Sequence, residues 1–167
     1  MSVLEVVEKF VSINGEGTKA GQLAVFIRFK GCNLNCKYCD TKWANEADAT
    51  AQQMTKEDIL EYVLSIGVKN VTLTGGEPLL RDGIEDVIEC LADNNLNVEI
   101  ETNGSIPLDN IRKLHKDNVT FTMDYKLSCS GMEQAMRLEN FSVLNKNDTV
   151  KFVAGCHEDL VLSLIHI

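Results

Sequence analysis

Three of the six cysteines, Cys32, Cys36 and Cys39, fall within eight residues in the spacing C-x3-C-x2-C. Thiolates that close together on an irregular loop can converge on one metal centre, and soft sulfur donors select zinc, copper(I) or an iron-sulfur cluster. A structural zinc site is closed by four protein groups, and a cubane cluster is normally held by four cysteines. No fourth donor is near: the next cysteine is Cys90 and the first histidine is His115. Three sulfurs alone point to a cluster that keeps one iron open for an external ligand, which is chemistry rather than scaffolding. The competing reading is a zinc knuckle completed by a remote histidine, although C-x3-C-x2-C is not a usual zinc pairing.

Other residues could do chemistry beside that loop. Arg28 interrupts an otherwise apolar run just before the cysteines, and an arginine there needs a buried partner or an anionic ligand. Asn14-Gly15-Glu16-Gly17, with Gly21 beyond, is a glycine-rich turn where backbone can approach a ligand, or simply a long hairpin connection. Gly75-Gly76-Glu77-Pro78 follows a short apolar run and reads as a strand-to-helix turn with backbone groups to offer. Thr41 offers a hydroxyl to a hard divalent ion that keeps several waters, or else caps its own loop. Cys90, Cys129 and Cys156 read as bystanders, and the three histidines have no spacing suited to a metal or a nucleophile.

These residues must be positioned by strands and helices in alternation. Val3 to Phe10 and Leu23 to Phe29 read as strands, the second nearly continuous in apolar residues. Thr41 to Met54 is a polar connection wrapping the site, with Trp43 as its one large aromatic. Thr55 to Asp58 forms a capping box, opening a helix with Ile59, Val63 and Ile66 on one face and Gly67 at its end. A strand at Val71 to Leu73, a helix set by Ile84, Val87, Ile88 and Leu91, and a strand at Asn97 to Glu101 follow.

Pro107 starts a helix carrying Leu108, Ile111 and Leu114, and Val119 to Met123 is the next strand. A helix around Met132 to Glu139 precedes a last strand, Thr149 to Val153, and His157 to Ile167 ends in an apolar run. Strand alternating with helix, with the chemical residues at strand ends, predicts a parallel α/β sheet curved as a barrel or part of one. The ending predicts a single core domain over residues 1–167 that stops short at its C-terminal side, leaving barrel closure and turnover open.

The length suits one domain, and 44% hydrophobic with 25% charged residues is ordinary globular composition. A formal charge of −9 argues against nucleic acid as a partner, since phosphate binding needs clustered Lys and Arg. The first ten residues lack the basic start and apolar run of a signal peptide, and no stretch approaches the ~20 apolar residues of a membrane span. A cytoplasmic protein with reduced thiols and no membrane partner is the expectation.

A C-x3-C-x2-C loop after a strand resembles the cluster loop of the radical S-adenosylmethionine superfamily. Together with Phe10 to Gly17, Gly31 to Leu34, Cys39-Asp40-Thr41, Thr74 to Pro78 and Glu101 to Gly104, it is similar to the 7-carboxy-7-deazaguanine synthase family. The resemblance implies a partial (β/α)6-like barrel and a [4Fe-4S] cluster on Cys32, Cys36 and Cys39, whose open iron takes S-adenosylmethionine. It implies cofactor contacts at Tyr38, Cys39, Asp40, Gly75, Gly76, Glu77 and Lys126, and Mg2+ at Thr41. Where the family frequently has Ser-Pro-Lys this chain reads Asp124-Tyr125-Lys126, so only Lys126 matches there.

The implied substrate is 6-carboxy-5,6,7,8-tetrahydropterin, gripped by the Ile13, Asn14 and Gly15 backbone, Glu16, Arg28 and Thr74. Asn14 stands where many relatives have Gln, keeping the amide on a shorter arm. The implied reaction is a lyase-type ring contraction with loss of ammonia, in the pathway to queuosine. An electron donor such as flavodoxin or ferredoxin is implied as partner, and a homodimer is allowed. A glycyl-radical activase, built on the same cysteine spacing, is the rival enzyme reading, and the Asn-Gly-Glu-Gly turn, Arg28 and Thr41 disfavour it.

Overall fold

The fold, a computed structural model describing residues 2–166 with side chains to residue 164, is built on one seven-stranded sheet. The strands are β1 (Leu4–Ile13), β2 (Leu23–Phe29), β3 (Gln52–Met54), β4 (Asn70–Gly75), β5 (Asn97–Thr102), β6 (Val119–Tyr125) and β7 (Thr149–Phe152). Their order is β3-β1-β2-β4-β5-β6-β7. β1 pairs antiparallel with β2 and β3, while β2, β4, β5, β6 and β7 run parallel. The sheet is not closed, in keeping with a partial barrel. Four helices accompany it: α1 (Lys56–Ile66), α2 (Ile84–Asp93), α3 (Asp109–Arg112) and α4 (His157–His166).

The parallel strands alternate in polarity. Val71 and Leu73, Val98 and Ile100, and Phe121 and Met123 are buried in a core shared with Ile59 and Val63 of α1 and with Ile84, Val87, Ile88 and Leu91 of α2. Intervening residues Thr72, Thr74, Glu99, Glu101, Thr122 and Asp124 occupy the opposite face. Parallel strands buried on both faces usually read as continuous apolar runs. This sheet instead keeps one face polar, and that face carries the site.

Most elements form where the sequence places them. Thr55 accepts the Asp58 N–H while Asp58 accepts the Thr55 N–H, and Gly67 ends α1 at a φ of 76°. Five local expectations need correction, the last of them between Met132 and Glu139. β1 runs three residues further, to Ile13. The connection after the cysteines contains β3, leaves Trp43 45% exposed and buries Ala44 instead. Ile66 is exposed rather than on the buried face of α1. The helix after Pro107 is the single turn α3, and His115 lies beyond it at a φ of 52°.

The expected helix at Met132 to Glu139 is absent; two short 3-10 turns, Glu133–Ala135 and Leu138–Ser142, take its place. The Arg137 N–H donates to Gly104 O (3.2 Å), so it is not available to bond back along a helix. Asn140, buried beside it, donates Nδ2 to Gly104 O and Ile106 O and accepts the Leu108 N–H on Oδ1. Tertiary hydrogen bonds to the loop after β5 thus override local helical pattern.

This predicts an order of stability losses. Asn140→Ala removes the partner of the buried Leu108 N–H and of the part-buried Ile106 O, while Gly104 O keeps the Arg137 N–H, and should destabilise by about 2 kcal/mol, against about 1 kcal/mol for loss of the exposed cap in Thr55→Ala. Urea denaturation of the two variants checks the ranking.

Candidate functional site

A cavity of about 370 Å³ opens on the polar face at the carboxyl ends of β2, β4, β5, β6 and β7. Cys32, Cys36 and Cys39 line it from the loop after β2, joined by Tyr38, Asp40 and Thr41. Glu16 reaches it from the β1–β2 connection, Arg28 from β2, Thr74 and Gly75 from β4, Gly76 just after, and Lys126 from the end of β6. Ile13, Asn14, Gly15 and Glu77, expected at the ligand, are not in the lining. Ile13 is 64% exposed on the rim of the hairpin, and Asn14 and Glu77 are buried behind the wall.

The sulfurs are set up to act as ligands. Cys32 Sγ accepts the Leu34 N–H (3.4 Å) and Asn103 Nδ2–H (3.6 Å), and Cys39 Sγ lies 3.6 Å from Thr41 Oγ1. Burial pushes the Cys32 and Cys36 thiols up, with the Lys126 ammonium opposing this at Cys36, so a cationic centre must displace their protons. Three sulfurs presented from one loop to one cavity are a donor set that fits a cubane with one iron left to an external ligand. Asn45 Oδ1 and Asp124 Oδ1, buried atoms of two lining residues, have no hydrogen-bond partner among the described residues, as expected of a wall that receives a polar ligand.

Close backbone approach explains the glycine pair. Cβ atoms at Gly75 and Gly76 would collide with the backbone of Phe29 and Gly31, and Gly75 also has a φ of 140°. The Gly76 and Glu77 N–H groups donate to Phe29 O (3.3 Å) and Gly31 O (3.0 Å). The pair therefore joins the ends of β4 and β2, and those N–H groups are not free for a ligand as the sequence suggests. Glu77 accepts from Thr102 Oγ1, Asn103 N and Leu79 N, tying β4 to β5. Burial, partly offset by these bonds, pushes its carboxyl up to about 7.

The remaining charges are paired across strands. Arg28 Nε meets Glu8 Oε2 at 3.0 Å, a partner set by the β1–β2 register. The guanidinium's terminal nitrogens make no hydrogen bond among the described residues, which leaves its fork to an anion. Lys151 on β7 contacts Glu16 Oε2 (2.8 Å) and Asp124 Oδ2 (3.3 Å), and Lys126 meets the same Asp124 oxygen at 2.8 Å. Burial works against the Lys151 ammonium, but Glu16 and Asp124 outweigh it and hold its pKa above the usual value. Thr74 Oγ1 donates to Glu101 Oε2 (2.7 Å), whose carboxyl burial pushes up. Burial first, then Asp124, takes the Tyr38 phenol to about 12.

Asn45 and Lys151 were not named from sequence, and Glu101, Asn103 and Asp124 were named in motifs without a role, yet all line the cavity. For Glu101, Asp124 and Lys151 the available signal was polar-apolar alternation inside strands of a parallel sheet. Away from the cavity, Cys129 and Cys156 bring their sulfurs within 2.7 Å beside the buried Asp159 carboxylate, so they are neighbours rather than separate surface thiols. Cys90 is half-buried on α2.

The chain is similar to known proteins in sequence and in fold. Residues 26–125 match the profile of the Radical SAM superfamily. A 7-carboxy-7-deazaguanine synthase of Clostridium acetobutylicum is 60% identical over 157 residues, covering 93% of this chain and 71% of the relative. That of Methanospirillum hungatei is 35% identical over 160 residues, 95% of this chain and 64% of the relative. The crystal structure of QueE from Escherichia coli superposes with a TM-score of 0.72 at 25% identity, over 98% of this chain and 78% of that one.

The raised Glu77 carboxyl has a measurable consequence. Between its ordinary pKa of 4.5 and about 7 the folded chain holds a proton that the unfolded chain has released. Its contribution to stability is full below pH 4.5 and falls as pH rises to 7, by at most about 3 kcal/mol. Glu77→Gln removes that dependence, so urea denaturation of cluster-free protein should favour the variant more at pH 8 than at pH 4.5. A difference independent of pH would show that Glu77 titrates normally.

Proposed function

This chain belongs to the 7-carboxy-7-deazaguanine synthase family of the radical S-adenosylmethionine superfamily, and from that premise we propose that it converts 6-carboxy-5,6,7,8-tetrahydropterin to 7-carboxy-7-deazaguanine with loss of ammonia. The observation that carries the proposal is the shared cavity: Cys32, Cys36 and Cys39 line it from one loop, with Arg28, Glu16 and Lys126 on its other walls. Cys32, Cys36 and Cys39 would hold a [4Fe-4S] cluster there, which would supply the one-electron chemistry that cleavage of S-adenosylmethionine and hydrogen abstraction from the substrate need.

The chain's own residues then have distinct tasks. Cys32, Cys36 and Cys39 hold the cluster. Tyr38, Asp40, Gly75, Gly76 and Lys126 line the side nearest it and contact the cofactor. Glu77 acts from behind, keeping the ends of β4 and β5 together. Arg28, steadied by Glu8 through Nε, offers its terminal nitrogens to the substrate carboxylate. Thr74 and Glu101 form a hydroxyl-carboxyl pair facing the ring, able to present both donor and acceptor. Glu16 contacts the ring from the far wall, while Ile13, Asn14 and Gly15 support it from outside the cavity.

Thr41, in the cavity lining, would offer its hydroxyl oxygen to Mg2+, a hard ion suited to oxygen donors. A flavodoxin or ferredoxin donates the electron, the setting is cytoplasmic, and a homodimer is compatible with the fold. No helix among the described residues is long and apolar enough to cross a membrane.

Anaerobically reconstituted protein should be brown and should accumulate 5'-deoxyadenosine and the deazapurine together when given the carboxy-tetrahydropterin. Arg28→Ala should lower kcat/KM for the pterin by roughly a hundredfold with iron content unchanged. Loss of the cluster in that variant, or 5'-deoxyadenosine formation indifferent to the pterin, would contradict the assignment.

A further inference from the structure

The β1–β2 connection does not skirt the sheet; it crosses the polar face and rests on a carboxylate in the middle of it. We propose that Glu99, on β5 and outside the cavity lining, is a positioning residue for substrate binding: through Asn14 it holds this connection so that Glu16 is presented to the cavity. The proposal rests on the reading of Glu16 as a substrate contact.

Four contacts build the anchor, beside a longer hydrogen bond from Asn14 Nδ2 to Thr72 Oγ1 (3.4 Å). Asn14 Nδ2 donates to Glu99 Oε2, and the Thr122 hydroxyl donates to Glu99 Oε1. The other end of the Asn14 amide, Oδ1, accepts the Glu16 N–H at 3.2 Å. Gly17, at a φ of 67°, packs so closely on the carboxylate that a Cβ would collide with Oε1. Asn14 and Glu99 are 1% and 4% exposed. Beyond the anchor, Glu16 turns into the cavity to meet Lys151.

The amide orientation is fixed by both neighbours. Reversing Asn14 would put its oxygen against the carboxylate and its NH2 against the Glu16 N–H. Chain connectivity leaves one residue between Asn14 and Glu16, so displacement of the first moves the second. Glu99 reaches the connection through this contact, and its partners are an amide and a hydroxyl rather than a cation, the hydroxyl being that of Thr122 in the cavity lining.

A reciprocal exchange tests this. Asn14→Asp sets two carboxylates against each other and should raise KM for the carboxy-tetrahydropterin at least about tenfold, with iron content and S-adenosylmethionine Kd as in the parent. Hydrogen exchange should quicken at the residue 14 and Gly21 amides, which bond to Gln22 O and Asn14 O at 2.8 Å each. Glu99→Gln alone should change little, because Thr122 can reverse its hydroxyl and accept from the new amide. In the double variant that amide can donate to the aspartate, which still accepts the Glu16 N–H, so both KM and exchange should return to near parental values.

Slow exchange retained in Asn14→Asp, or failure of the second substitution to restore either measurement, would overturn the anchor. Absence of pterin turnover in the parent protein would instead refute the proposed reaction, while the exchange measurements would still decide whether Glu99 holds the connection. A general loss of folding would lower iron content in all variants alike and would show no reciprocal rescue.

Discussion

Buried carboxylates need partners, and the polar side of this sheet is organised by that requirement. Glu77, Glu99 and Glu101 lie largely out of water, where an unsatisfied charge is strongly disfavoured. Each is met by hydroxyls or amides from other strands or loops: Glu77 by Thr102 and two backbone N–H groups, Glu99 by Asn14 and Thr122, Glu101 by Thr74. These contacts bridge β4, β5, β6 and the β1–β2 connection. The same groups that satisfy the carboxylates therefore fix the spacing of the strand ends, and with it the width of the cavity.

Backbone contact completes what the carboxylates begin. Gly75 and Gly76 let the end of β4 lie directly on the end of β2, and Gly31 O receives the Glu77 N–H. The cysteine loop departs from that junction, so its geometry depends on a place where no side chain fits. Arg28 sits one register position away, opposite Thr74, with Glu8 holding its inner nitrogen. A charged group next to a thiolate loop is thus aimed by a residue on a different, antiparallel strand.

Much of this was legible in the sequence because it rests on local signals. Cysteine spacing marks the loop, Thr55 and Asp58 mark a helix start, glycine-rich segments mark turns, and runs rich in Val, Ile and Phe mark strands. The losses were of two physical kinds. At Met132 to Glu139, hydrogen bonds from Arg137 and Asn140 to a distant loop displaced the local helical pattern. At Asn14, whose backbone the resemblance puts at the ligand, the side chain faces Glu99, a partner 85 residues away. Glu8 as the mate of Arg28 likewise depends on hairpin register, which the two strands leave open when read separately. By contrast Glu99, Glu101, Thr122 and Asp124 do carry a local signature, alternation by two within β5 and β6, which gains meaning only once the strands are recognised as parallel.

That alternation also bears on how reliably the chain finds its arrangement. A shift of one residue in the pairing of β5 would carry Glu99 and Glu101 into the hydrocarbon layer beneath α2 and turn Val98 and Ile100 toward the solvent-lined hollow. Mispaired states are thereby penalised twice, by ionisable groups in oil and by hydrocarbon in water. Residues chosen for chemistry thus double as a proofreading device for strand alignment.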